Sequence, residues 1–214
     1  MVERNRSEIA LFMGGVGLIS GVISLYALIL AGEHVALGFL WPGVFFGYLV
    51  STALSYVGYP LPRHKDIFLA AACSAIGFVT IFAAAFAQGL VEIGSRSDGD
   101  KLGVAATVGG TLGAFAVFAL FLLIQNSCRT RKNSLLLAAR WSFLGGALGV
   151  AGLLLDSTVG TAIWYLLHAL HASPNETIQN ARSSSQLFSL VAVWQAGMAV
   201  ALSLLLPSPQ TSAN

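Results

Sequence analysis

The stretch IFLAAACSAIGFVTIFAAAFAQGLV, residues 67–91, decides the fold because it carries no charged side chain between Asp66 and Glu92. A helix needs about 20 apolar residues to cross roughly 30 Å of hydrocarbon. Five other stretches are comparable, and the six candidate spans cover about residues 9–31, 35–57, 67–91, 103–124, 141–165 and 187–206. The sequence therefore predicts an all-α integral membrane protein. We expect one compact six-helix transmembrane bundle with short loops over residues 1–206, followed by a polar C-terminal tail at 207–214.

The composition indicates that lipid is the solvent of this chain. Of its 214 residues, 56% are hydrophobic and only 9% are charged. A soluble domain of this length could not bury so much apolar surface. The apolar runs are too long for barrel strands and lack the alternation that such strands show. The lipid bilayer is therefore the first partner that the sequence predicts.

Lysine and arginine orient the six predicted spans. Of the 11 basic residues, three fall on one side of the membrane and eight on the side that holds both termini. The larger group comprises Arg4, Arg6, Arg63, Lys65, Arg129, Arg131, Lys132 and Arg140. Because basic loops stay on the cytoplasmic side, both termini are predicted to be cytoplasmic or on the equivalent side of an organelle membrane. The basic residues are scattered over separate short loops, so no nucleic-acid partner is predicted.

Glycines cluster in three of the predicted spans. Glycines at helical spacing remove side chains from one face and let helix backbones approach closely. We therefore predict close helix packing at Gly14, Gly17, Gly21, Gly109, Gly113, Gly145 and Gly149. The packing partner is either another helix of the same chain or a second chain, in a homo-oligomer or a larger membrane complex.

The fifth span allows two registers. In one it covers Leu135–Leu155, Asp156 lies at the outer interface, and residues 157–171 form a short surface helix. In the other it covers Trp141–Tyr165, which places aromatic side chains at both interfaces and Arg140 at the cytoplasmic end. We favour the second register, which puts Asp156 inside the membrane. A carboxylate there is costly unless it is protonated or paired, so Asp156 becomes a candidate functional residue.

Other polar side chains accompany Asp156 in the outer half of the predicted bundle. We predict that they line a polar pocket open to the outer side, formed by Asp156, Thr161, Gln195, Thr111 and Gln88. The alternative is that these groups only hydrogen-bond one helix to another.

Three histidines on the predicted outer side form a second group of candidate site residues. His168 and His171 are three residues apart and share a helical face, and His34 flanks another span. Imidazole together with a carboxylate can bind zinc or copper, but the spacing matches no strong motif such as His-Glu-x-x-His. No cofactor is therefore predicted. A metal ion at these histidines is the secondary alternative to plain surface histidines.

Catalytic motifs are absent from the sequence: it has no Gly-x-Ser-x-Gly nucleophile elbow, no Gly-rich phosphate loop and no pair of intramembrane acids. We therefore predict a non-catalytic membrane protein, a subunit or accessory protein of a membrane complex that packs through its glycine-rich helix faces. The first alternative is a small-solute transporter or channel with an outward-facing polar pocket around Asp156. Pro42, which predicts a kink in span 2, and the likeness of spans 1 and 4, typical of inverted repeats, support it. The second alternative is a membrane enzyme that acts on lipid at the outer leaflet and uses Asp156 with His168 or His171.

Overall fold

The chain is all-helical. The computed structural model describes residues 5–31, 40–59, 65–92, 98–125, 131–171 and 178–205, and no strand occurs in these ranges. The α-helices are α1 (Arg6–Ala31), α2 (Trp41–Tyr56), α3 (Lys65–Glu92), α4 (Asp98–Gln125), α5 (Arg131–Leu154), α6 (Thr161–His171) and α7 (Ile178–Leu205). A π-helical turn, Asp156–Gly160, joins α5 to α6. The predicted all-α class is therefore confirmed.

Four of these helices are long and apolar enough to cross a membrane. The apolar windows are Arg6–Ala27 in α1, Lys65–Gln88 in α3, Leu102–Ile124 in α4 and Lys132–Leu154 in α5. Helix α7 carries a shorter apolar segment, Ser189–Leu205, and α2 has 16 residues. Length and composition thus single out four of the helices as candidate membrane spans.

The helices form a closed ring in which consecutive helices are neighbours. Helix α1 packs on α2, α2 on α3, α3 on α4 and α4 on α5, while α7 closes the ring between α5 and α1. The largest fully buried side chains come from α1, α2, α3, α4 and α7 and include Met13, Phe46, Leu69, Phe118 and Leu202. Because α7 also contacts α2 and α4, it is the helix from which a buried site can reach most of the bundle.

The glycines that predicted close packing all face another helix of this chain. A Cβ built on Gly21 would lie 2.7 Å from Ala192 Cα of α7, and one on Gly149 would lie 2.6 Å from the Ala106 carbonyl oxygen of α4. Gly145 meets the backbone of Gly110 where α4 and α5 cross. Such distances leave no room for a methyl group. The remaining predicted positions are also close to other helices, namely Gly14, Gly17, Gly109 and Gly113.

Helix α2 begins at its proline instead of being kinked by it. Pro42 lies in the first turn, where its missing N–H removes no intrahelical bond, and the Leu40 carbonyl already accepts the bond from the Val44 N–H. Residues 35–39 of the predicted second span lie outside the described residues. The helix ends at Tyr56, and Gly58, two residues later, has a φ of 96°, which suits a residue without a Cβ.

The turn after α2 is tied to the end of α7. The Tyr59 N–H donates to the Leu54 carbonyl at 2.9 Å. Of the two hydrogen bonds of a Schellman cap, this is the one that spans more residues. The Tyr59 hydroxyl then donates to the Ser203 carbonyl at 3.1 Å. This side-chain bond connects residues far apart in sequence and fixes α7 against α2 at one end of the bundle.

The segment predicted as a fifth span, residues 141–165, is not one continuous α-helix. Helix α5 ends at Leu154, and the backbone N–H of Thr161 bonds to the Asp156 carbonyl, five residues back. The Thr161 hydroxyl donates to the same carbonyl at 3.3 Å. Threonine hydroxyls compete for helical carbonyls in this way and favour irregular turns. The last turn of α5 is held to α7 by the Ser189 hydroxyl, which donates to the Gly152 carbonyl at 2.6 Å.

Candidate functional site

A half-open cavity of about 230 Å³ lies between α3, α4 and α7. The first two turns of α2 contribute Pro42, Gly43 and Phe46 to its wall, beside Cys73 of α3. None of the described residues that line it is charged, and nearly all are apolar. The volume exceeds the ~150 Å³ of an engineered apolar cavity that binds benzene, so a small apolar molecule fits inside.

Several glycines line this cavity. Gly109, Gly113 and Gly149, which the sequence marks only for helix packing, also line the cavity. Gly77 of α3 lines it too, and a Cβ built there would have no atom within 4 Å. A larger residue at Gly77 would therefore extend into open space.

Gln195 of α7 lines the cavity and bonds α7 to the start of α2. Its side chain is 2% exposed, and its Nε2 donates to the Pro42 carbonyl at 3.1 Å. A carbonyl requires the amide nitrogen to face it, which assigns the other end of the amide as Oε1. That oxygen is buried and has no hydrogen-bond partner among the described residues. Gln195 is thus anchored through one atom and leaves the other unsatisfied.

Trp194, the neighbour of Gln195 on α7, also lines the cavity. Its ring packs on Phe46, with the ring centroids 6.0 Å apart, and a Cβ on Gly113 would lie 3.3 Å from its Cζ2. The indole Nε1 is buried and, like Gln195 Oε1, unpartnered within the described part of the chain. A buried polar atom without a partner costs about 1–3 kcal/mol, so each of these two atoms lowers the stability of the fold.

Thr80 of α3 places a hydroxyl side chain in the cavity wall. Its Oγ1 donates to carbonyls of its own helix, at 2.8 Å from Ile76 O and 2.9 Å from Gly77 O. Its proton is therefore used within α3. The described part of the cavity wall is thus a largely apolar surface without a charged side chain, which suits a small apolar molecule.

Of the residues predicted to form a polar pocket around Asp156, the cavity takes in Gln195. Asp156 and Thr161 lie at the two ends of the π-helical turn and are not in the cavity wall. Thr111 of α4 faces α5, where a Cβ on Gly146 would lie 2.5 Å from its Oγ1. Gln88 lies near the end of α3, half-buried and outside the cavity lining.

Trp194 is the site residue that the sequence reasoning missed. Tryptophan in a membrane helix usually lies at the interface, whereas Trp194 lies well inside the apolar segment Ser189–Leu205. An indole within an apolar segment needs a hydrogen-bond partner for its N–H. This requirement is the signal by which the sequence could have marked Trp194 as a site residue.

The predicted metal site falls largely outside the described part of the chain. His34 lies outside the described residues, and so do the side chains of His168 and His171, whose backbone belongs to α6. Within the described residues, no group of three or more histidine, cysteine, aspartate or glutamate side chains could hold a metal ion.

No family model, no curated protein and no solved structure matches this chain. Its function is therefore inferred from its helices and from the cavity between them.

Proposed function

We propose that this chain is an integral membrane protein that crosses the bilayer six times, with both termini on the basic, cytoplasmic or equivalent side. The four long apolar helices support this, as do large apolar side chains that point away from the bundle. Along α3, Phe78, Phe82 and Phe86 are all exposed, and Phe86 keeps 70% of its surface. Water would make such a face costly, whereas lipid tails cover it without cost.

The crossing of α4 and α5 supports a particular register for the fifth span. Gly110 lies beside Gly145, and Gly149 lies beside Ala106. Each step along α5 is thus matched by an equal step back along α4, so the windows Leu102–Ile124 and Lys132–Leu154 lie side by side. We therefore assign the fifth span to residues 132–154 instead of 141–165, with Asp156 in the π-helical turn beyond its end.

Within this bundle, we propose that the chain binds or conducts a small, uncharged, largely apolar molecule. The observation that carries this is the cavity itself, whose described lining residues are nearly all apolar and include none that is charged. Pockets for small ligands are lined predominantly by apolar side chains. We propose that this activity is non-catalytic and that it depends on the cavity instead of on Asp156, which is not among the lining residues.

A cavity-filling substitution tests this proposal. Gly77→Leu extends into the cavity, while Gly103→Leu is a matched control, because a Cβ on either glycine meets nothing within 4 Å and only Gly77 lines the cavity. We expect toluene to raise the Tm of the purified wild type and of Gly103→Leu, but not that of Gly77→Leu. Equal ligand stabilisation of both variants would show that toluene binds elsewhere.

A second candidate function, subunit of a membrane complex, is favoured by Arg140. Its side chain is exposed on α5, and the described residues offer it no hydrogen bond or ion pair. In the Lys132–Leu154 window it lies about 12 Å from the cytoplasmic end, at 1.5 Å per residue. An arginine in the bilayer centre costs about 2.5–3.5 kcal/mol on insertion scales, so an acidic group on a partner helix would stabilise it.

The two charge variants of Arg140 test this candidate. We expect native-membrane preparations of the wild type and of Arg140→Lys to retain a stoichiometric partner that Arg140→Leu loses. A wild-type protein that runs as a partner-free monomer in mild detergent would count against a subunit role.

A further inference from the structure

We infer that α6 binds the lipid–water interface on the membrane side opposite both termini, where it lies in the plane of the bilayer with one apolar face in the lipid. The inference rests on the proposed membrane insertion and does not depend on the cavity. The depth at which the chain enters α6 and the exposed surface of α6 carry it. Helix α6 has 11 residues, about 16 Å at 1.5 Å per residue, so it is too short to cross the hydrocarbon.

The end of α5 lies at the edge of the hydrocarbon. A Cβ on Gly152 would lie 2.7 Å from Leu190 Cα, and the Ser189 hydroxyl donates to the Gly152 carbonyl at 2.6 Å. Ser189 is the first residue of the apolar segment of α7, Ser189–Leu205. Gly152 is therefore level with the point where α7 becomes apolar.

Ile163 of α6 lies at about the same level, although it follows Gly152 by 11 residues. Its side chain is 7% exposed and belongs to a buried cluster with Leu25 of α1 and Ala192 of α7. Gly21, one turn before Leu25, packs directly on Ala192. An uninterrupted helix would have carried Ile163 about 16 Å beyond Gly152. The π-helical turn therefore stops the advance of the chain out of the membrane, and α6 begins at the edge of the hydrocarbon.

One face of α6 is apolar and exposed. Tyr165 keeps 65% of its surface and Leu166 keeps 53%, and Ala162 and Ala169 are exposed on the same face. The helix contains no lysine, arginine, aspartate or glutamate, so its attachment to lipid depends on apolar and aromatic contacts instead of on anionic headgroups. Tyrosine is typical of the membrane interface, because its ring is apolar and its hydroxyl polar.

The length of this face favours a helix that lies in the plane of the membrane. The face is apolar from Ala162 to Ala169, which are about 10 Å apart along the helix axis. An upright α6 would carry Ala169 into water, whereas an in-plane α6 keeps the whole face at one depth. Large exposed side chains also lie just before the π-helical turn, at Leu154 and Leu155, so lipid covers apolar surface on both sides of the turn.

The decisive experiment measures the membrane depth of three positions on this face. Single cysteines, Ala162→Cys, Leu166→Cys and Ala169→Cys, are introduced after Cys73 and Cys128 are replaced by alanine, and each carries a nitroxide. Electron paramagnetic resonance of the protein in phosphatidylcholine nanodiscs gives the depth from the accessibility to oxygen and to a water-soluble nickel chelate. We expect three nearly equal depths, about 5–10 Å into the headgroup and acyl-chain boundary.

A label on α3 is the control for membrane insertion. Val79 is 65% exposed and lies about 13 Å from the end of the apolar window Lys65–Gln88, at 1.5 Å per residue. Val79→Cys should therefore place its nitroxide deeper in the lipid than any of the three α6 labels. The exposed positions of all four labels keep them out of the packed core, so the variants should unfold at a Tm close to that of the background protein.

The outcomes separate the inference from the membrane insertion on which it rests. If the Val79 label is deep in lipid while the Ala169 label lies about 10 Å farther out than the Ala162 label, α6 stands upright and the inference is wrong. The inference is also wrong if all three α6 labels are as accessible to the nickel chelate as a label in water. If the Val79 label is equally accessible to the chelate, the proposed membrane insertion is wrong and the inference with it.

Discussion

The packing of α1 on α7 predicts opposite effects for two alanine substitutions that lie two residues apart. A Cβ on Gly17 would lie 2.8 Å from Ala196 Cα and press on the Gln195 carbonyl oxygen, whereas a Cβ on Gly15 would meet nothing within 4 Å. Both positions are helical, so both variants gain the same helix propensity, about 0.8–1.0 kcal/mol for glycine to alanine. The comparison therefore isolates the helix–helix contact.

The magnitude follows from the distance. Carbon atoms pack at about 3.5–4.0 Å, so the new methyl group of Gly17→Ala lies roughly 0.7–1.2 Å too close to a backbone that cannot rotate away. Helix α1 must retreat, and overpacking of this kind costs about 1–3 kcal/mol. Gly17→Ala should thus be less stable than Gly15→Ala by about 1–3 kcal/mol, while Gly15→Ala equals or exceeds the wild type.

Equilibrium unfolding of the three proteins in detergent micelles, monitored by circular dichroism, measures this difference. Because Gln195 also lines the cavity, Gly17→Ala should in addition weaken toluene binding, whereas Gly15→Ala should not. Equal stability of the two variants would refute the close approach of α1 and α7 at this point.

Three further predictions follow from contacts in the structure. Gly110 and Gly145 block each other's Cβ, so the destabilisation of the Gly110→Ala, Gly145→Ala double variant should differ from the sum of the single effects by about 0.5–3 kcal/mol in a double-mutant unfolding cycle. Burial raises the pKa of Tyr59 above its ordinary 10.0, against a smaller lowering by Arg6, so the unfolded chain releases this proton first. Stability should therefore fall as the pH rises above about 10, and thermal unfolding of Tyr59→Phe should show a weaker dependence; an identical pH profile would contradict the buried hydroxyl. Asp156→Asn should leave the affinity for toluene unchanged because Asp156 is not in the cavity wall, and a loss of binding in calorimetry would show that the π-helical turn takes part in the site.

Much of the secondary structure is predictable from the sequence because it depends on local apolar runs. The run at residues 67–91 forms most of α3, and the run at 103–124 forms most of α4. The bounds of the fifth helix were harder to predict from the sequence. Its apolar stretch is long enough for two registers, and aromatic residues lie at both ends of one of them. Its actual bounds follow from the contacts between Gly145 and α4 and from the hydroxyl bonds of the π-helical turn.

The candidate site was likewise predicted only in part from the sequence. Gln195 was predicted as a polar residue within a span, but its grouping with Asp156 assumed that equal depth means proximity. Depth along a helix says nothing about which side of the helix a residue faces in the folded bundle, and Asp156 lies outside the cavity wall. Trp194 and the first turn of α2 were missed because each is unremarkable in its own stretch of sequence.

By itself, the sequence determined the helical class, the apolar character of the chain and the glycines at which helices approach closely, since these depend on composition and on residue spacing within one helix. Only the tertiary structure decided that these glycines face helices of the same chain, and that three of them line a cavity. It also decided that Gln195 bonds to Pro42, 153 residues earlier in the chain, and so leaves its Oε1 unpaired beside Trp194. Such a site depends on which helix faces meet, and no local pattern encodes that meeting.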